Sequence, residues 1–82
     1  MRYKVTFRVS RENSGRATYI GKKMRSYTPP YQIIVEDGKK SEQHFSFFDI
    51  DTLNRFLKES FEAFSTDFVV TELKMIESDD DD

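Results

Sequence analysis

HFSFFDIDTLNRFLKESFEAF, residues 44–64, changes its hydrophobic period part-way along, and that change decides the fold class. His44, Phe45, Ser46 and Phe47 alternate polar with apolar, as a strand with one buried face does. From Ile50 onward, Leu53, Phe56, Leu57, Phe61 and Phe64 recur at spacings of three and four, which lines them along one face of a helix of about fifteen residues. Asp49 stands where an N-cap belongs, Phe48 and Leu53 occupy the two positions of a hydrophobic staple, and Asp51 favours the helix start through the dipole. A short chain that carries both periods belongs to the α+β class.

Upstream, Asp37-Gly38 is a favoured two-residue hairpin turn, so a strand at Tyr31–Glu36 returns through His44–Phe47. Thr28-Pro29-Pro30 reads as an extended break or a sheet edge, because proline removes a backbone donor and restricts the residue before it. At the N-terminus Tyr3, Val5, Phe7 and Val9 alternate with polar residues and predict a strand. Glu12-Asn13-Ser14-Gly15 supplies turn chemistry. Arg16–Ser26, with Thr18, Tyr19, Ile20 and Met24, is then expected as a second strand, bent or bulged at Gly21.

Downstream, Ser65-Thr66-Asp67 leads to a last strand at Phe68–Glu77, with Val69, Leu73 and Met75 on one face. The expected order is ββββαβ: a small, mostly antiparallel sheet of about five strands with one helix packed on one face. Short connections on both sides of the helix make its two flanking strands run in the same direction, through a right-handed crossover. Residues 1–77 form one domain on this reading, and 78–82, with four consecutive aspartates, form a disordered acidic tail.

Eight Phe and four Tyr among 82 residues give one core built on large rings. There is no cysteine, which excludes a disulfide framework and a thiolate nucleophile and suits a reducing, cytoplasmic setting. The first residues enter the alternating strand with no apolar leader, and no apolar run reaches membrane-spanning length, so neither a signal peptide nor a membrane partner is expected.

The stock of catalytic groups is thin. His44 is the one histidine, and its neighbours Glu42 and Asp49 lack metal-ligand spacing. No serine sits in a nucleophile elbow, and Gly15, Gly21 and Gly38 are isolated rather than gathered in a phosphate loop. The aspartate run lacks the alternating ligands and central glycine of a calcium loop. Phe45, Phe47, Phe48, Phe56, Phe61, Phe64 and Phe68 are expected as core rather than as a ligand pocket. The chain is therefore read as non-enzymatic, with no cofactor and no metal.

Charge is distributed unevenly. Residues 1–30 carry eight basic groups against Glu12, a net of +7, and residues 31–82 carry five against fourteen acidic, a net of −9. Arg8, Arg11, Arg16, Lys22, Lys23 and Arg25, interleaved with Tyr19 and Tyr27, are the candidate partner-binding residues. Cations beside rings suit an acidic protein surface or a nucleic-acid backbone with stacked bases. A solvated face whose charges pair with the acidic half competes with both readings. In size and composition, and in no motif, the chain resembles the stand-alone proteins of phages and other mobile elements, including anti-CRISPR inhibitors. That resemblance implies a small inhibitor docking on a larger protein, such as a nucleic-acid-handling complex. A nucleic-acid-binding module using the basic N-terminal segment is the alternative, and the oligomeric state is left open.

Overall fold

A computed structural model describes residues 2–24, 35–37 and 40–76. In chain order these form β1 (Arg2–Ser10), α1 (Arg11–Lys23), β2 (Val35–Asp37), β3 (Lys40–Phe47), α2 (Ile50–Phe64), a 3-10 turn at Ser65–Asp67, and β4 (Val69–Ile76). The class is α+β. Three long strands and the three-residue β2 make an antiparallel sheet in the order β2-β3-β1-β4. Element order and strand order together are those of the split β-α-β, or ferredoxin-like, arrangement, which fixes where the elements lie and by itself implies no function.

The alternation in β1 holds: Val5, Phe7 and Val9 are buried on one face, paired with Phe45, Gln43 and Ser41 of β3. Both helices cover that face. Ala17, Ile20 and Met24 come from the α1 side, Leu53, Phe56 and Phe64 from α2, and all join one core with Phe45, Phe47 and Phe68. Phe56 is its hub, with ring centroids 5.3–5.9 Å from Phe7, Phe45, Phe47 and Phe68. Helix α2 has the expected length and cap: the Asp49 carboxylate accepts from the Thr52 amide at 2.8 Å and the Thr52 hydroxyl at 2.9 Å. Leu53 is buried, whereas Phe48, expected in the core, is 58% exposed, and Phe61 is half exposed at the helix edge.

Three expectations are corrected. The segment predicted as a second strand is the helix α1, so the first unit is β-α rather than a hairpin and the order is βαββαβ. Ala17, Ile20, Gly21 and Met24 recur at helical spacing and face the sheet, and Gly21 marks the closest approach of α1 to β3. A Cβ there would lie 2.5 Å from the Phe45 ring. Helix start is fixed from far along the chain, where Asp67 accepts the Ser10 amide at 2.9 and 3.1 Å and the Asn13 side-chain amide at 2.8 Å. Lys40 adds a third donor at 3.3 Å.

Second, among the described residues the sheet has four strands, not about five. The strands flanking α2 do run in the same direction, both antiparallel to β1, which lies between them. Third, Val69 does not share a face with Leu73 and Met75. The β1–β4 register shifts between Thr6 and Phe7, which inserts Thr71 as an extra residue and turns Val69 to the other side. The hairpin pairs Asp37 with Lys40. Gly38 of its expected turn, the Tyr31–Ile34 part of the expected third strand, Thr28-Pro29-Pro30 and the 78–82 tail lie outside the described residues.

Candidate functional site

The candidate basic residues divide by element. Arg8 sits on the face of the sheet away from the helices, opposite Glu42 in register and 3.9 Å from its carboxylate. Arg11, Arg16, Tyr19, Lys22 and Lys23 belong to α1, on the other side. Arg25 and Tyr27 lie outside the described residues. The basic hairpin of the sequence reading is thus one basic helix plus a separate sheet arginine.

Arg16, Tyr19, Ile20 and Lys23 repeat at three to four residues, so they share a stripe of α1 that faces α2. Across from them stand Glu59, Glu62 and Ala63, and between the helices runs an open groove of about 370 Å³. Lys23 donates to Glu59 at 2.7 Å and holds its ammonium 6.0 Å from the Tyr19 ring centre. The Arg16 guanidinium lies 5.8 Å over the Phe64 ring. Tyr19 itself is 65% exposed. The Lys23–Glu59 pair is solvent-exposed and contributes about 1 kcal/mol or less to the fold; it fixes the positions of two charges at the groove.

A second hollow of about 280 Å³ adjoins the first at Lys23 and is lined by Met24, Phe48, Asp49, Thr52 and Arg55. Lys23 therefore stands between two exposed rings, Tyr19 and Phe48. Asp49 is held below the ordinary carboxylate range chiefly by the Thr52 amide, then by the Thr52 hydroxyl, and its acceptor capacity is directed to capping α2.

From the spacing alone, Arg16, Tyr19 and Lys23 could have been recognised as one helical face; Glu59, Glu62 and Ala63 were legible as a face of α2. Their apposition was not. It depends on α1 being a helix, which the run Thr18-Tyr19-Ile20 conceals.

His44 lies on the sheet face away from the helices, with Lys4, Thr6, Arg8, Glu42, Ser46, Glu72 and Lys74 around it in register. Burial, then Lys4, lower its pKa, while Glu42 and Glu72 act the other way, so the neutral imidazole is favoured. Among the described residues no three His, Cys, Asp or Glu side chains converge as a metal ion would need, and no helix is long and apolar enough to cross a membrane. No family model, curated protein or solved structure matches the chain.

Proposed function

We propose that the protein is a non-catalytic binding module that docks on a larger protein through the α1–α2 groove, acting as an inhibitor or adaptor. The observation that carries this reading is the exposed Tyr19 ring, flanked by Arg16 and Lys23 and set over a groove whose opposite wall holds Glu59 and Glu62. Tyr and Arg are the residue types that dominate protein–protein contacts, since each combines a large apolar area with directional polar groups. Charges of both signs on facing walls suit a protein partner, for which complementary potentials speed the encounter and set the register. A cytoplasmic partner fits a cysteine-free chain, and an inhibitor of a nucleic-acid-handling complex agrees with the resemblance in size and composition to phage-type proteins.

The nucleic-acid reading is favoured by one observation, the row of Arg11, Arg16, Lys22 and Lys23 along α1. Against it stand the two glutamates lining the same groove, which repel phosphate. At the β1, β3 and β4 register positions described above, the sheet face away from the helices bears no Phe, Tyr or Trp and a single ring, the His44 imidazole, whereas RNA-reading sheets of this topology stack bases on several rings there.

Capture from the source cells on immobilised full-length chain, with and without nuclease, tests the proposal. A protein retained after nuclease by the wild type and lost by the Arg16→Glu/Tyr19→Ala variant is the expected result. Recovery of nucleic acid, with a log-linear fall in affinity as salt rises, would overturn it in favour of the alternative.

A further inference from the structure

Strand β4 has β1 on one side and, among the described residues, no strand on the other. Native edges are usually blunted against pairing by charge, by proline or by a covering element. Among the described residues, no element covers this one on its apolar side. Leu73 and Met75 pair with Val5 and Tyr3 and so share the helix-covered face, yet they are 57% and 55% exposed. Phe61 of α2, stacked edge-on against Phe68 at 5.0 Å, is a further exposed ring on the helix-covered side. Glu72 and Lys74 pair with Thr6 and Lys4 and lie on the opposite face.

The order of these residues is self-complementary. Consider a second copy of β4 laid antiparallel along the edge, with a two-fold axis normal to the sheet at Leu73. Leu73 then faces its own equivalent, and Glu72 faces Lys74 of the second copy, twice by symmetry. Placing the axis at Glu72 sets Glu72 against itself, and placing it at Lys74 sets Lys74 against itself; like charges directly opposite oppose pairing. An axis midway between residues exchanges the apolar face for the charged one. Of the registers near the strand centre, only the one at Leu73 satisfies both faces. The Thr71 bulge lies at the end of the central pairs, and the Thr71 hydroxyl donates inward to the Thr6 carbonyl at 3.3 Å.

We infer that the protein forms a two-fold homodimer through β4, joining two four-stranded sheets into one of eight strands, with Leu73 and Met75 of both copies closing an apolar strip on the helix-covered face. Both partners use the same patch, so the contact closes on itself and does not propagate. This surface is separate from the α1–α2 groove, and the inference does not rest on the function proposed for that groove.

Sedimentation of the full-length chain from low micromolar to millimolar concentration, with circular dichroism as a check on folding, tests it. The wild type sediments as a monomer–dimer equilibrium. Glu72→Lys alone and Lys74→Glu alone each place like charges opposite one another twice per dimer and weaken dimerisation by roughly tenfold or more. The double swap Glu72→Lys/Lys74→Glu restores opposite charges in the Leu73 register and returns the dimer to wild-type affinity. A wild type that stays monomeric throughout overturns the inference and leaves the edge to a strand from another protein. A dimer indifferent to the single swaps, or not rescued by the double one, assigns the contact to a different surface.

Discussion

Helices α1 and α2 lie side by side on one face of the same sheet, yet they are held there by different means. Helix α2 is self-sufficient in sequence: its cap, Asp49, is three residues from the amide that it accepts, and it buries Leu53, Phe56 and Phe64. Helix α1 depends on distant residues. Its apolar contacts are small, Ala17, Ile20 and Gly21 with Met24 at its end, and the carboxylate at its start belongs to Asp67. The difference teaches that one helix can be specified by local periodicity while its neighbour is specified by the sheet and turn to which it docks. The dependent helix is also the one that carries the candidate site.

Substitutions can break that comparison at several levels. Phe56→Ala, in the self-sufficient helix, should cost about 3–5 kcal/mol, because the ring contacts four others at the core centre. Chemical denaturation measures it, and a near-neutral result would remove Phe56 from that role. In α1, Gly21→Ala should destabilise by about 1–3 kcal/mol despite alanine's better helix propensity, since the new methyl overlaps the buried Phe45 ring. Had Arg16–Ser26 been an exposed strand, the same change would be nearly silent.

The two caps offer a sharper contrast. Asp67→Ala should cost about 1–2 kcal/mol at neutral pH, since it removes the acceptor for Ser10, Asn13 and Lys40 together. Burial acts to raise the Asp67 carboxyl, but hydrogen bonds from Asn13, Ser10 and Lys40 outweigh it and hold the pKa at about 2, against an ordinary 3.8. The folded-state pKa is depressed, so this contribution is complete above about pH 4 and is lost as pH falls from there toward 2. Acid unfolding of the wild type should therefore steepen in that window, and the Asp67→Ala profile should be flatter there. Asp49→Ala, which removes the single side-chain cap of α2, should destabilise the fold less than Asp67→Ala in the same denaturation measurement. Tyr19→Ala should leave the melting temperature almost unchanged, because the ring is largely exposed. A large loss would make Tyr19 structural and weaken its assignment to binding.

What could be read in advance follows the same division. Tyr3-to-Val9 alternation, the Asp49 cap, the α2 stripe and the shared direction of β3 and β4 were all legible, because each is written in residues close together in the chain. The α1 segment was not. Thr18, Tyr19 and Ile20 have strand preferences, Glu12–Gly15 resembles a turn, and Asp67 is 57 residues from the amide it caps. Once α1 is a helix, β1 must cross to β2 rather than turn back, and the expected first hairpin disappears. Likewise, nothing at Val69–Val70–Thr71 announces a bulge, so the face of Val69 was misassigned. For the site, the residue types were legible and their grouping was not: Arg16, Tyr19 and Lys23 share a groove, whereas Arg8 lies across the sheet with Glu42.

Hydrogen exchange on the full-length chain, free and bound to whatever protein survives nuclease-treated capture, tests the central claim most directly. Protection on binding should be concentrated at residues 16–23 of α1 and 59–63 of α2, with little change on the sheet face away from the helices. Protection centred instead on β1 and β3 around Lys4, Arg8 and His44, with α1 unchanged, would contradict the assignment of the α1–α2 groove as the docking surface.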